Sequence, residues 1–211
     1  MLLNLDDREN AVYEGIKKYL ERKRAIRSAK VISYLNKNLN KRQLNLNLSK
    51  IRQIIEKLKE KNVIVEGYQL TKEDIFAIPK RKNIYHYIID NPGVYAYQIT
   101  RDLDVSSHVV IWHLQVLKDF EFITSEQLDN HEVYFDTELD LNEVTRHYYM
   151  RKGKCKKILE VIDNSNGGMS KTRLAKTLNM HPNTIKKYLT ALENIGVISK
   201  KKISNKTLYH K

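Results

Sequence analysis

The chain has 211 residues, 41% hydrophobic and 30% charged, with seven Gly, three Pro and one Cys. Such a composition can bury a core. It excludes a disordered chain, a collagen-like repeat and a disulfide-stapled scaffold, since Cys155 alone makes neither an internal disulfide nor a thiolate metal cage. The net charge of +13 is unevenly divided: residues 1–80 carry 18 Lys/Arg against 10 Asp/Glu, residues 81–150 carry 5 against 12, and residues 151–211 carry 15 against 3. Two basic segments suited to a polyanion therefore flank an acidic one that phosphates would repel. No apolar run approaches the roughly 20 residues that span a bilayer, and Met1–Asn10 lacks a leader's apolar core, so the expected location is cytoplasmic.

In chain order, Ala11–Arg22 and Ser28–Leu39 read as helices, followed by a third on which Ile51, Ile55 and Leu58 recur at i, i+4, i+7, one face of a helix. Asn47 or Ser49 is its expected cap, and Val63–Leu70 around Gly67 reads as a short hairpin. In the middle segment, Asn83–Asp90 is a helix closed by Asn91-Pro92-Gly93, and Tyr95–Leu103 is a second. A third runs from Ser106 or Ser107 to about Phe120, and Phe122–Phe135 is a hairpin with Asp129-Asn130 at its tip. Asp136–Met150 carries a partial helical stripe that reads as a linker helix. The last segment has helices at Lys154–Asp163 and Lys171–Leu178 and a turn at Asn179–His181. Pro182 then opens a helix with Ile185, Leu189 and Leu192 on one face, and a hairpin follows over Val197–Tyr209, turning at Ser204-Asn205.

Ile99–Ile123 and Leu174–Ile198 align without a gap and match in apolar positions almost throughout, so the order helix, helix, helix, hairpin occurs at least twice. This is winged-helix grammar: a helix-turn-helix whose second helix is followed by a β-hairpin wing. The expected fold is mainly α with small hairpin wings, in three tandem winged-helix domains: 1–80 basic, 81–137 acidic, and 151–211 strongly basic, with 138–150 as a linker helix.

Recognition helices read base edges with their outward N-terminal residues, while Lys and Arg anchor phosphates. In the last domain these outward positions are Asn183, Thr184, Lys186, Lys187 and Thr190. Lys171 and Arg173 lie on the preceding helix, and Lys200, Lys201, Lys202 and Lys206 on the wing. In the first domain the same frame gives Lys50, Arg52 and Gln53, with Lys41 and Arg42 in the turn. The run Arg22, Lys23, Arg24, Arg27, Lys30 follows the first helix, where cations complement a helix C-terminus or lie along phosphates. In the acidic domain the frame gives His108, Ile111, Trp112 and Gln115, which read as a protein interface unless the helix is rotated and Trp112 is core.

Asn91–Ile123, with NPGVYAYQI followed by WHLQVLKDFEFI, resembles the winged helix-turn-helix transcriptional regulators of the ArsR/MarR type, especially archaeal ones with two fused winged helices. Leu174–Ile198 resembles the same superfamily. The resemblance implies a DNA-binding regulator. Metal-sensing members use clustered cysteines, which this chain lacks.

No phosphate-cradling, dinucleotide, nucleophile-elbow or HExxH motif occurs, and His108 and His113 lie five apart on different helix faces, so neither catalysis, a metal nor a cofactor is expected. The expected function is a DNA-binding transcriptional regulator whose outer domains contact duplex DNA. The acidic middle domain would meet a homodimer mate or another protein partner. The alternative is a tandem winged-helix protein scaffold, like those of the ESCRT-II complex or polymerase-associated subunits, for which an anionic membrane would be a further partner. RNA binding by shape is a third reading.

Overall fold

Asp6 sets where the chain first turns helical in the computed structural model, which describes residues 5–22, 24–39, 46–165, 167–203 and 206–211. Its carboxylate accepts the backbone N–H groups of Arg8 and Glu9 at 2.9 and 2.8 Å, while Glu9 accepts the N–H of Asp6 at 3.2 Å. This capping box starts α1 (Asp7–Leu20) one turn ahead of the apolar spacing that begins at Ala11. α2 (Ser28–Asn38) and α3 (Leu48–Glu60) follow, with Asn47 accepting the Lys50 N–H at 2.8 Å as the cap of α3. Val12, Ile16, Val31, Leu35, Ile51 and Ile55 interlock as the core of this three-helix layer. Each such side chain contributes about 1.5–3 kcal/mol relative to exposure.

The hairpin expected at Val63–Leu70 does not form. Among the described residues this stretch has turns and one isolated bridge, Ile64 to Thr71. Its backbone groups are used elsewhere: Gly67 N–H donates to the Ile26 carbonyl and Ile26 N–H to the Tyr68 carbonyl, each at 2.8 Å. A strand partner would need those same donors and acceptors. The chain instead enters a 3-10 turn over Lys72–Ala77, opened by a capping box between Thr71 and Asp74.

α4 (Pro79–Asp90) has proline at its head, where the missing N–H has no helical partner to lose. Next come β1 (Val94–Tyr95), α5 (Ala96–Leu103), α6 (Ser107–Asp119), β2 (Ile123–Leu128) and β3 (His131–Asp136). β1 pairs antiparallel with β3, Val94 opposite Tyr134, in a sheet of order β1-β3-β2. Gly93, at φ +78°, makes the turn into β1. A Cβ there would lie 3.2 Å from the Val144 carbonyl oxygen.

α7 (Leu141–Arg151) covers β3 through Val133, Phe135, Val144 and Tyr148. α8 (Gly153–Asp163), β4 (Met169–Ser170), α9 (Lys171–Thr177), α10 (Pro182–Asn194), β5 (Ser199–Ile203) and β6 (Lys206–His210) complete the chain. Ile158, Leu174, Ile185, Leu189 and Leu192 form their core, and the second sheet has order β4-β6-β5. The protein is thus mainly helical with small antiparallel sheets. It packs as two compact units: one runs to Tyr87 and includes Ile99–Thr124, the other holds Ile88–Gln98 and Ser125–Lys211. Residues 81–137 contribute to both.

Candidate nucleic-acid interface

α10 presents the face that its spacing predicts. With Ile185, Leu189 and Leu192 buried, Asn183, Lys186, Lys187 and Thr190 are exposed and Thr184 is half-buried. Pro182 occupies the first helical turn, and the ring nitrogen Nδ1 of His181 accepts the Asn183 N–H at 3.2 Å. This bond tightens the helix start from which Asn183 projects.

Beside α10 lies an open groove of about 710 Å³ whose cations come from three elements: α9 supplies Lys171, Arg173 and Lys176, α10 supplies Lys186, and β6 supplies Lys206. Four of the residues singled out in the sequence, Lys171, Arg173, Lys186 and Lys206, are thereby brought to one surface. None of the described residues that line it is acidic.

The other wing lysines are placed differently. Lys200 pairs with Glu193 of α10 at 2.8 Å, while Lys201 and Lys202 are exposed on β5, whose five residues are all exposed. The turn Ser204-Asn205 lies outside the described residues.

Lys187 is not turned to the groove. Its ammonium lies 2.9 Å from a carboxylate oxygen of Asp129, at the tip between β2 and β3. The same carboxylate accepts from the Lys152 ammonium and from the hydroxyls of Tyr149 at 3.1 Å and Tyr148 at 3.4 Å. Burial works to raise the pKa of Asp129, but the hydrogen bonds from Lys152 and Lys187 outweigh it and hold the carboxyl at about 2. Sequence spacing places Asp129 only as a wing-tip residue. Nothing in a local pattern ties it to a helix so much later in the chain.

In the first unit, Arg52 and Gln53 are exposed on α3 and Lys50 is half-buried. Lys50 and Gln53 share a shallow pocket with Asp6 and Glu9, and Glu9 also binds Lys57. This flank of α3 therefore mixes cations with carboxylates. Lys41 and Arg42 lie outside the described residues.

On α6, His108, Ile111, Trp112 and Gln115 are all exposed, Ile111 at 56% and Trp112 at 51%. Trp112 is therefore not core. The Gln115 amide donates to Asp119 of the same helix at 2.7 Å. Beneath Trp112, 5.1 Å from its ring, sits Arg81, which is 0% exposed. Its Nε donates to Nδ1 of His113 at 3.3 Å and another guanidinium nitrogen to the Ile75 carbonyl at 3.0 Å. Burial, reinforced by the Arg81 charge, pushes the His113 pKa down to about 4, so the imidazole is a neutral acceptor.

The comparisons with known proteins agree with this geometry. Residues 156–199 match the winged helix-turn-helix DNA-binding family. The matched stretch covers α9, the turn and α10, elements that build the basic groove. Over 141 residues the chain is 28% identical to a protein of Methanocaldococcus jannaschii named as an HTH-type transcriptional regulator. That similarity covers 67% of this chain and 35% of the relative, so the chain spans about a third of the relative's length. Among the described residues, no helix is long and apolar enough to cross a membrane.

Proposed function

We propose that this protein is a DNA-binding regulator of transcription that works by occupancy and carries out no catalytic step. The observation that carries the reading is the groove joining Lys171, Arg173, Lys186 and Lys206 beside the exposed start of α10, within and next to the stretch that matches the DNA-binding family. α10 enters the major groove, Asn183 pairs with a base edge, and the surrounding cations hold phosphates and release counterions. The name of the Methanocaldococcus jannaschii relative supports regulation as the outcome of binding.

At a finer level, the order of elements favours tandem winged-helix modules of the ArsR/MarR type, the first lacking a formed wing among its described residues. The basic outer modules face DNA. The acidic middle one uses Ile111 and Trp112 of α6 against a protein, either a second copy or another partner.

Fluorescence anisotropy of the full chain on promoter and random-sequence duplexes, across a salt series, tests the reading. Arg173→Ala with Lys186→Ala should lower the salt slope by about 0.9 for each phosphate left without its cation. A wild-type chain that binds no duplex at about 50 mM salt, where the electrostatic contribution is large, would overturn it in favour of a protein scaffold.

A further inference from the structure

The first unit holds a second basic groove, of about 770 Å³, and its expected recognition helix α3 does not line it: the groove lies between the end of α1 and the length of α2. Arg22 and Arg24 come from the chain just after α1, and Arg27, Lys30 and Lys37 from the cap and length of α2, with Tyr34 among them. None of the described residues lining it is acidic.

Position on α2 gives the groove its direction. Residues 27, 30, 34 and 37 fall at i, i+3, i+7, i+10, one stripe of a helix. At 1.5 Å per residue the stripe is about 15 Å long, a length of duplex axis along which one strand carries about four phosphates. A single small anion would engage only part of such a row.

Helix stability accounts for only some of these charges, and Lys37 in the last turn of α2 is among those it favours. Arg22 and Arg24 follow the C-terminus of α1, where cations are favoured. Arg27 and Lys30 sit at the N-terminus of α2, where the macrodipole opposes them. That helix end is already served by Glu66, which accepts the Ser28 N–H at 2.9 Å and the Ser28 hydroxyl at 2.6 Å. The arginines are also held in place: Arg22 lies 5.1 Å over the Tyr34 ring and Arg24 lies 5.9 Å over that of Tyr19, and the two tyrosines are themselves 5.4 Å apart. Stacking of this kind limits the side-chain entropy lost when a ligand arrives.

We infer that this α1–α2 groove binds the phosphodiester backbone of nucleic acid, independently of base sequence and of α10. The site supplies charge and shape with no base-reading helix, so it adds affinity and salt dependence rather than specificity.

The test uses the full chain carrying Arg22→Ala, Arg27→Ala and Lys30→Ala, with circular dichroism confirming the fold, since all three side chains are exposed. Anisotropy is read on a random-sequence duplex and on an oligo-dT strand over a salt series. The expected result is weaker binding by about tenfold or more at low salt. The salt slope should fall by about 0.9 for each phosphate no longer neutralised on duplex, or about 0.7 on single strands. The probe that shows the larger change identifies the form of backbone the groove takes. Unchanged affinity and slope on both probes would overturn the inference. The Arg173→Ala/Lys186→Ala variant, measured in parallel, reports on the α10 reading by itself, so the two can fail separately.

Discussion

A neutral histidine against a fully buried arginine makes the protein's stability between pH 7 and pH 5 depend on the protonation of His113. The His113 pKa in the fold, about 4, lies below its ordinary 6.5, so the unfolded chain binds the proton more tightly. The stability this contributes is whole above pH 6.5 and is lost as pH falls toward 4. Between pH 7 and pH 5 the loss should be about 2 kcal/mol. Asp129 and Glu9, whose carboxyls are held below their ordinary values, act in a more acidic window and do not blur the reading. Trp112, the single tryptophan, has its ring 4.7 Å from that of His113, so its fluorescence follows this site in denaturant titrations. His113→Gln should flatten the pH dependence between those values. A slope that persists in the variant would place the titration elsewhere. Burial of His113 could be anticipated from its place beside Leu114 and Leu117 on α6. Its buried cationic neighbour could not, because Arg81 belongs to a different helix and reads in sequence as one more surface charge.

At the scale of elements, the hairpin of β2 and β3 has a role that its own sequence hides. Its tip carboxylate joins Lys152, just ahead of α8, to Lys187 on α10. A phosphate approaching Lys187 must therefore compete with Asp129. Asp129→Asn should release Lys187 and tighten duplex binding, with a salt slope steeper by about 0.9 if the lysine takes up a phosphate. It should also cost about 1–3 kcal/mol of stability, because Lys152 keeps its charge in a largely buried place without its carboxylate. Binding that is unchanged or weaker in the variant would show that Lys187 serves the β2–β3 hairpin alone.

The helices are legible in the sequence because their apolar faces recur at i, i+4, i+7, as with Ile51, Ile55 and Leu58 or Ile185, Leu189 and Leu192. The second and third hairpins are legible from alternation and turn residues. The two-residue strands β1 and β4 are not, since two residues carry no period. The first hairpin is absent because Ile26, distant in sequence, takes the hydrogen bonds that a local strand pair would need. The outward frame of α10 follows from its buried face, but the diversion of Lys187 to Asp129 depends on tertiary placement.

Across the whole molecule, charge is sorted by segment. Cations gather in the groove beside α10 and in the α1–α2 groove, whereas the middle segment, net acidic, offers an exposed Ile111 and Trp112 on α6. Two bulky apolar side chains at those positions cannot neutralise phosphates, and the net acidic charge of residues 81–150 would repel them. If DNA and protein binding are divided in this way, Ile111→Asp leaves duplex affinity within about twofold and the salt slope unaltered, since it removes no cation. Ile111 is the better site for this test than Trp112, because truncating Trp112 would uncover the buried Arg81 guanidinium and confuse folding with binding. The same Ile111→Asp preparation, compared with wild type by sedimentation velocity, should lose whatever self-association the wild-type chain shows. Arg173→Ala/Lys186→Ala gives the opposite pattern, with DNA binding weakened and association intact. A drop of about tenfold or more in duplex affinity on Ile111→Asp, with association unchanged, would move DNA onto α6 and end the assignment of that helix to a protein partner.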